Sequence, residues 1–215
     1  MVTRILLVDD HALMREGLRA ILQADPEFEV VGEASDGRQA LEMVTRLQPD
    51  VVIMDIGMPH LNGFEATRQI GTFAASARVI ALSTHNDKRY VLAMLESGAR
   101  GYVVKSSVSD ELRRAIQTVQ RNQIYLSPEI AGVVVESYLG REYPDEGIGA
   151  ALLGSREREV LQLLAEGKSS PEIASVMHIS VSTVETHRRN IMRKLDIHSV
   201  AGLTKFAIRE GLTEL

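Results

Sequence analysis

The chain has 215 residues, 45% of them hydrophobic, enough to bury one or two cores. No apolar run approaches the roughly 18 residues of a membrane span, so a cytoplasmic protein is expected. It has no cysteine, which excludes disulfides, thiolate metal ligands and cysteine nucleophiles, and its net charge of -5 excludes a uniformly basic nucleic-acid binder.

The charge is unevenly spread. Residues 1–122 carry a net -2, residues 123–149 a net -4 and residues 150–215 a net +1, with four basic residues and one acidic residue between 185 and 194. Over the first 120 residues, short apolar runs alternate with helical patterns, which predicts a parallel sheet flanked by helices. Strands are expected at 4–9, 29–34, 50–55, 77–83 and 101–105. In the first helical stretch, Leu13, Gly17, Leu18, Ile21 and Leu22 are read as one face. The result is an open α/β doubly wound domain of five parallel strands over residues 1–122.

"YLSPEIAGVVVESYLG" then reads as a helix with Ser127 as N-cap and Pro128 in the first helical position, ending at Gly140. "REYPDEGIGAA" mixes charge, Pro and Gly without periodicity, so residues 123–150 are expected to be a linker helix followed by a flexible linker. From Leu152 no β-rich run remains, and residues 151–215 should form a small all-helical domain. Its helix starts are read at Ser155, at Ser169 with Glu172 as a capping box, and at Ser182 with Glu185 as another. A last helix, roughly 200–210, stops at Gly211.

In open α/β sheets, ligands bind outside the carboxyl ends of the strands. Here the first strand ends in Asp9 and Asp10, the third in Asp55, the fourth in Ser83 and the fifth in Lys105. Carboxylates held this close repel one another unless a cation intervenes, and Mg²⁺ is the natural one. A carboxylate can also attack phosphorus, with a metal and a lysine ammonium neutralising the equatorial oxygens. Taken singly, Asp10 also reads as the N-cap of the helix near Ala12, and Asp55 as a turn residue of "GMPHLNG". His11, His60 and His85 lie in nearby loops and read as solvated side chains.

On these residues the segment 1–122 resembles a response-regulator receiver domain: the acidic pair, "DIGMP" from Asp55 to Pro59, the Ser83 hydroxyl, and "GYVVK" through Tyr102 to Lys105. The resemblance implies that Asp55 is the phosphoacceptor and that Asp9, Asp10, Asp55 and a backbone carbonyl at Gly57 hold Mg²⁺. It also implies that Lys105 and Ser83 contact the phosphoryl group and that Tyr102 is the switch residue. Tyr102 also reads as an amphipathic residue on an edge strand. Many receivers have a proline after the lysine, often with a cis bond. This chain has Ser106, where a cis bond costs about 3 kcal/mol, so the loop is expected to be shaped or gated differently.

"EIASVMHISVSTVETHRRNIMRKL" has the outline of a helix-turn-helix with its turn around His178 to Val181. On the second helix Val184, Ile191 and Leu195 define a buried stripe, and Glu185, Thr186, Arg188, Arg189, Met192 and Arg193 face outward. Residues 152–212 resemble the LuxR-type helix-turn-helix family. That resemblance puts Glu185, Thr186 and Arg189 nearest the bases, with Arg188, Arg193 and Lys194 at phosphates, and a dimer contact around Ala201 to Ile208. The whole is expected to be a response regulator of the NarL/FixJ kind. A sensor histidine kinase and double-stranded DNA are its expected partners, a homodimer forms on DNA, and no membrane is involved. A phosphohydrolase is the rival reading, but the D-x-D spacing of such enzymes is missing from Asp9-Asp10. A constitutive DNA binder is the other rival.

Overall fold

A computed structural model describes residues 2–84, 88–138, 153–195 and 197–213. They fall into two compact units, one built on a sheet and one built of helices. In the first, β1 (Thr3–Val8), β2 (Phe28–Ala34), β3 (Val51–Asp55), β4 (Arg78–Ser83) and β5 (Gly101–Val104) alternate with five helices. These are α1 (Ala12–Gln23), α2 (Gly37–Leu47), α3 (Gly63–Phe73), α4 (Lys88–Glu96) and α5 (Val108–Gln120). All pairings are parallel, in the order β2-β1-β3-β4-β5, with one more short parallel strand beside β5. Helices cover both faces, which is why the strands read as continuous apolar runs; β3 is buried along its whole length.

The sixth strand, β6 (Tyr125–Leu126), goes beyond the five expected. Two residues are too few to show alternation, yet the Tyr125 N–H donates to the Arg100 carbonyl and the Ser127 N–H to the Tyr102 carbonyl, each at 3.0 Å. β5 is therefore not an edge strand. Helix α6 (Pro128–Tyr138) follows. The Ser127 carbonyl accepts its first bonds, as an N-cap should, but the Ser127 hydroxyl is used elsewhere: it accepts from the Val104 N–H and donates to Glu111. The expected helix end at Gly140 and the linker 141–151 lie outside the described residues.

One core, between the sheet and helices α1 and α5, holds Ile5, Leu7, Ile53, Leu82 and Val103 against Leu18, Leu22, Leu112 and Ile116. The expected α1 face needs correcting. Leu13 is 81% exposed and Gly17 is also exposed. At 100° per residue, the 13/17/21 row drifts across the helix edge, and the 14/18/22 row meets the core instead, with Met14 and Ile21 packed at its margins.

The second unit consists of α7 (Ser155–Ala165), α8 (Ser170–Met177), α9 (Val181–Leu195) and α10 (Val200–Arg209) around a core that includes Val160, Leu164, Ile173, Val184, Ile191 and Phe206. Two predicted caps shift. Helix α7 starts one residue earlier than read: Gly154 is its N-cap, and from the third helical position Glu157 reaches back to accept the Gly154 N–H at 2.8 Å, the half of a capping box that needs no hydroxyl. Helix α9 starts earlier: the Ser180 hydroxyl accepts the Thr183 N–H at 3.1 Å, so Ser182 lies inside the helix and forms no box with Glu185. The Ser169–Glu172 box forms as read, with the Ser169 N–H donating to Glu172 at 2.8 Å. Between α8 and α9 the chain turns at His178, which adopts a left-handed φ of 54°. No helix among the described residues is long and apolar enough to cross a membrane.

Candidate functional site

From β1 the chain runs outward to β2 and then returns to place β3 on the other side, so strand order reverses between β1 and β3. A crevice forms at such a point, outside the carboxyl ends. Asp9 follows β1 and is fully buried; its Oδ1 accepts the His11 N–H at 2.8 Å, and Arg15 on α1 donates to its carbonyl at 2.5 Å. Asp55 closes β3, and its Oδ1 accepts the N–H of Ile56 at 2.8 Å. Lys105 follows β5. Its ammonium lies 2.9 Å from Asp9 Oδ2 and 2.9 Å from Asp55 Oδ2. Three groups far apart in the chain thus converge at the ends of β1, β3 and β5.

Asp10 stands beside them, with Oδ1 2.7 Å from the His11 ring Nδ1. It does not cap α1: that helix has His11 at its N-cap position and no side-chain cap. The described residues Asp9, Asp10, His11 and Asp55 each offer a ligand atom, all within 4.8 Å of one another. Asp9 Oδ2 and Asp10 Oδ1 are out of solvent, the first beside the Lys105 ammonium and the second beside the His11 ring. Buried, hard oxygen donors of this kind suit a small divalent cation. Gly57, two residues beyond Asp55, is half-buried.

The electrostatics reflect this crowding. Burial, and then the charge of Asp9, push the Asp55 carboxyl up to about 6 from 3.8, against the opposing pull of Lys105. Burial alone would depress the Lys105 ammonium, but Asp55 and Asp9 outweigh it and raise its pKa. Ser83 ends β4, buried, in register with Val104. Tyr102 on β5 is fully buried, because β6 flanks its strand, so it is not the half-solvated edge residue that sequence also allowed. The peptide into Ser106 is trans, and Lys105–Ser107 form a single 3-10 turn.

Gly63 joins the site without carrying any chemistry of its own. It opens α3 behind the N-cap Asn62, and its N–H donates to the Ile56 carbonyl at 2.9 Å. A Cβ there would lie 2.1 Å from the Asp55 carbonyl oxygen and 2.9 Å from Ile56 Cα. Only glycine lets the two backbones approach so closely, so Gly63 fixes where Asp55 stands. Its signal in the sequence was the Asn-Gly pair before a helix. His11 is exposed, as read, although it is held against Asp10; His85 lies outside the described residues.

In the helical unit, α9 presents Glu185, Thr186, Arg189 and Arg193 to solvent. Arg188 is half-buried and donates to the Ser170 hydroxyl at 2.8 Å and to Glu185 at 3.0 Å. Lys194 reaches Glu157 at 2.7 Å. Met192, expected outward, is half-buried and packs on the core because it neighbours the 184/191/195 stripe. The structure therefore gathers Asp9, Asp10, Asp55 and Lys105 at one edge of the sheet and spreads the basic residues along one helix.

A doubly wound sheet with an acidic crevice at its switch point, joined to a helix-turn-helix unit, defines a receiver coupled to a DNA-binding type of module. The "Response regulator receiver domain" family matches residues 5–117, and the "Bacterial regulatory proteins, luxR family" matches residues 151–207. The chain is 37% identical to the transcriptional regulatory protein LiaR of Bacillus subtilis, over 97% of this chain and 98% of the relative. It is 35% identical to the transcriptional regulatory protein DegU of Brevibacillus brevis, over 97% and 94%. A crystal structure of a LuxR-family two-component response regulator from Aurantimonas sp. SI85-9A1 superposes with a TM-score of 0.62 at 37% identity, covering 65% of this chain and 99% of that one. The Salmonella typhimurium RcsB response regulator superposes with a TM-score of 0.60 at 25% identity, covering 95% and 97%. The chain belongs to the two-component response regulators, with an N-terminal receiver domain and a C-terminal LuxR-type DNA-binding domain.

Proposed function

We propose that a sensor histidine kinase phosphorylates Asp55 in a Mg²⁺-dependent step, and that this controls sequence-specific binding of a homodimer to double-stranded DNA. Residues 1–122 act as the receiver, 123–150 as linker helix and flexible linker, and 151–215 as the DNA-binding domain. The observation that carries the reading is the Lys105 ammonium, held 2.9 Å from both Asp9 and Asp55. A cation so held supports the reading, because charge builds on the oxygens of a transferring phosphoryl group.

An Asp55 carboxylate oxygen attacks the phosphorus of the kinase's phosphohistidine; the P–N bond breaks, the imidazole leaves, and an acyl phosphate forms on Asp55. Asp9, Asp10, Asp55 and the Gly57 carbonyl would hold Mg²⁺, which neutralises phosphoryl oxygens when bound. Lys105 and the Ser83 hydroxyl would contact the phosphoryl group, and Tyr102 would respond as the switch residue. On α9, Glu185, Thr186 and Arg189 would face bases, and Arg188, Arg193 and Lys194 phosphates. The reading makes the protein a cytoplasmic regulator of transcription, not an enzyme, in keeping with relatives described as transcriptional regulatory proteins.

The test is incubation with a small phosphodonor and MgCl₂ followed by intact-mass measurement. Wild type should gain one phosphoryl group, and Asp55→Asn, or wild type in EDTA, should gain none. Modification of the Asn variant, or continuous hydrolysis of a generic phosphate ester, would overturn it.

A further inference from the structure

We infer that Glu185 is a base-reading carboxylate that selects cytosine in the major groove, and that Ser170 and Arg188 are positioning residues that hold it for that purpose. The inference rests on the DNA-binding reading of α9 given above. Glu185 lies one turn into the helix, in the half that reaches base edges when such a helix enters the groove, and its side chain is 48% exposed.

Its orientation is fixed from two sides. The Ser170 hydroxyl, at the start of α8, donates to Glu185 Oε1 at 2.5 Å, and Arg188 Nη1 donates to the same oxygen at 3.0 Å. Arg188 Nη1 also donates to the Ser170 oxygen at 2.8 Å, which closes a triangle across the helix-turn-helix. Ser170 is itself nearly buried, so the triangle has a fixed base in the fold. The bonds fall on Oε1, and Oε2 keeps its full acceptor capacity.

The chemistry then selects a base. The Ser170 hydroxyl bond, with Arg188 alongside, holds the Glu185 carboxyl below the usual carboxylate range, so the group is ionised and accepts without donating. In the major groove guanine offers two acceptors, thymine an acceptor and a methyl, and adenine an acceptor beside its donor. Cytosine alone offers an amino donor and no acceptor of its own, the nearest acceptor being O6 of its paired guanine. A rigid acceptor is repelled by the first two, partly repelled by the third and matched by the fourth. A bare carboxylate would also be repelled by the phosphates. The Arg188 guanidinium offsets that repulsion, which is what lets an acidic residue occupy this face.

The experiment is selection from a randomised duplex library by the full-length chain, phosphorylated with a small phosphodonor in Mg²⁺ at one fixed salt concentration. Wild type, Glu185→Gln and Ser170→Ala are compared. Wild type should return one cytosine per half-site, with a roughly tenfold or larger affinity loss on its replacement. Glu185→Gln should erase that preference, and Ser170→Ala should weaken it. A motif that survives Glu185→Gln at every position, or equal losses on specific and random duplex, overturns the inference alone. A wild-type chain that binds no duplex in a salt-dependent way overturns the DNA-binding reading and this inference with it.

Discussion

Asp55→Asn should abolish phosphoryl acceptance and yet stabilise the sheet unit at neutral pH. Burial, reinforced by Asp9 and opposed by Lys105, raises the Asp55 carboxyl from 3.8 to about 6 in the folded state. In the unfolded chain the carboxyl returns to its ordinary value. Between about pH 4 and pH 6 the folded state therefore binds more protons than the unfolded one, and stability falls as pH rises through that window. A shift of roughly two pH units at ~1.4 kcal/mol each amounts to about 3 kcal/mol by pH 7. Asparagine keeps the shape and carries no charge, so it escapes the loss. All five tyrosines lie between residues 90 and 143, and the chain has no tryptophan, so tyrosine fluorescence during urea unfolding reports on the first unit. In EDTA, the variant should match wild type near pH 4 and exceed it by about 3 kcal/mol at pH 7. Adding Mg²⁺ should narrow the gap by stabilising wild type alone. A variant no more stable than wild type at pH 7 without metal, or a gap that widens toward acid, refutes the reasoning.

Gly63→Ala should cost about 2–3 kcal/mol in the same unfolding assay, since the added carbon meets backbone that cannot rotate away, and should slow phosphoryl acceptance by displacing Asp55; wild-type stability and rate together would contradict the contact. Ser180→Ala should destabilise the helical unit by about 1 kcal/mol, and Ser182→Ala by far less, because the cap lies at 180. Melting followed by circular dichroism separates the two, and the reverse order would relocate the cap. Arg189→Ala should weaken binding to the selected site, whereas Arg193→Ala should weaken all duplex binding and flatten its salt dependence. Filter binding at several salt concentrations checks both, and equal losses on specific and random DNA for both variants would defeat the assignment.

The pocket was legible in the sequence because its chemistry restricts residue types at positions that topology already marks. Strand ends in a parallel sheet face one edge, so Asp9, Asp55 and Lys105 had to lie near one another once the strands were found. What escaped notice depends on contacts that no local pattern encodes. β6 is two residues long, and its partner strand lies more than twenty residues earlier. Gly63 matters only because the Asp55 backbone crosses behind it. The caps of α7 and α9 were misplaced by one and two residues because each start carries more than one small polar or glycine candidate, and tertiary packing chooses among them.

Carboxylates also show why composition alone misreads this chain. Asp55 and Glu185 contribute equally to the net charge of -5, yet their surroundings act on them in opposite directions. Asp55 is buried beside a second carboxylate, so its ionised form is held at a cost and gains most from a cation or a covalent phosphoryl group. Glu185 is half exposed between a hydroxyl and a guanidinium, so its ionised form is favoured and its position fixed. A charge that is costly suits a group whose modification must release free energy. A charge that is settled suits a group meant to recognise a partner without changing. The division of labour between the two domains is thus already present in how each treats the same functional group.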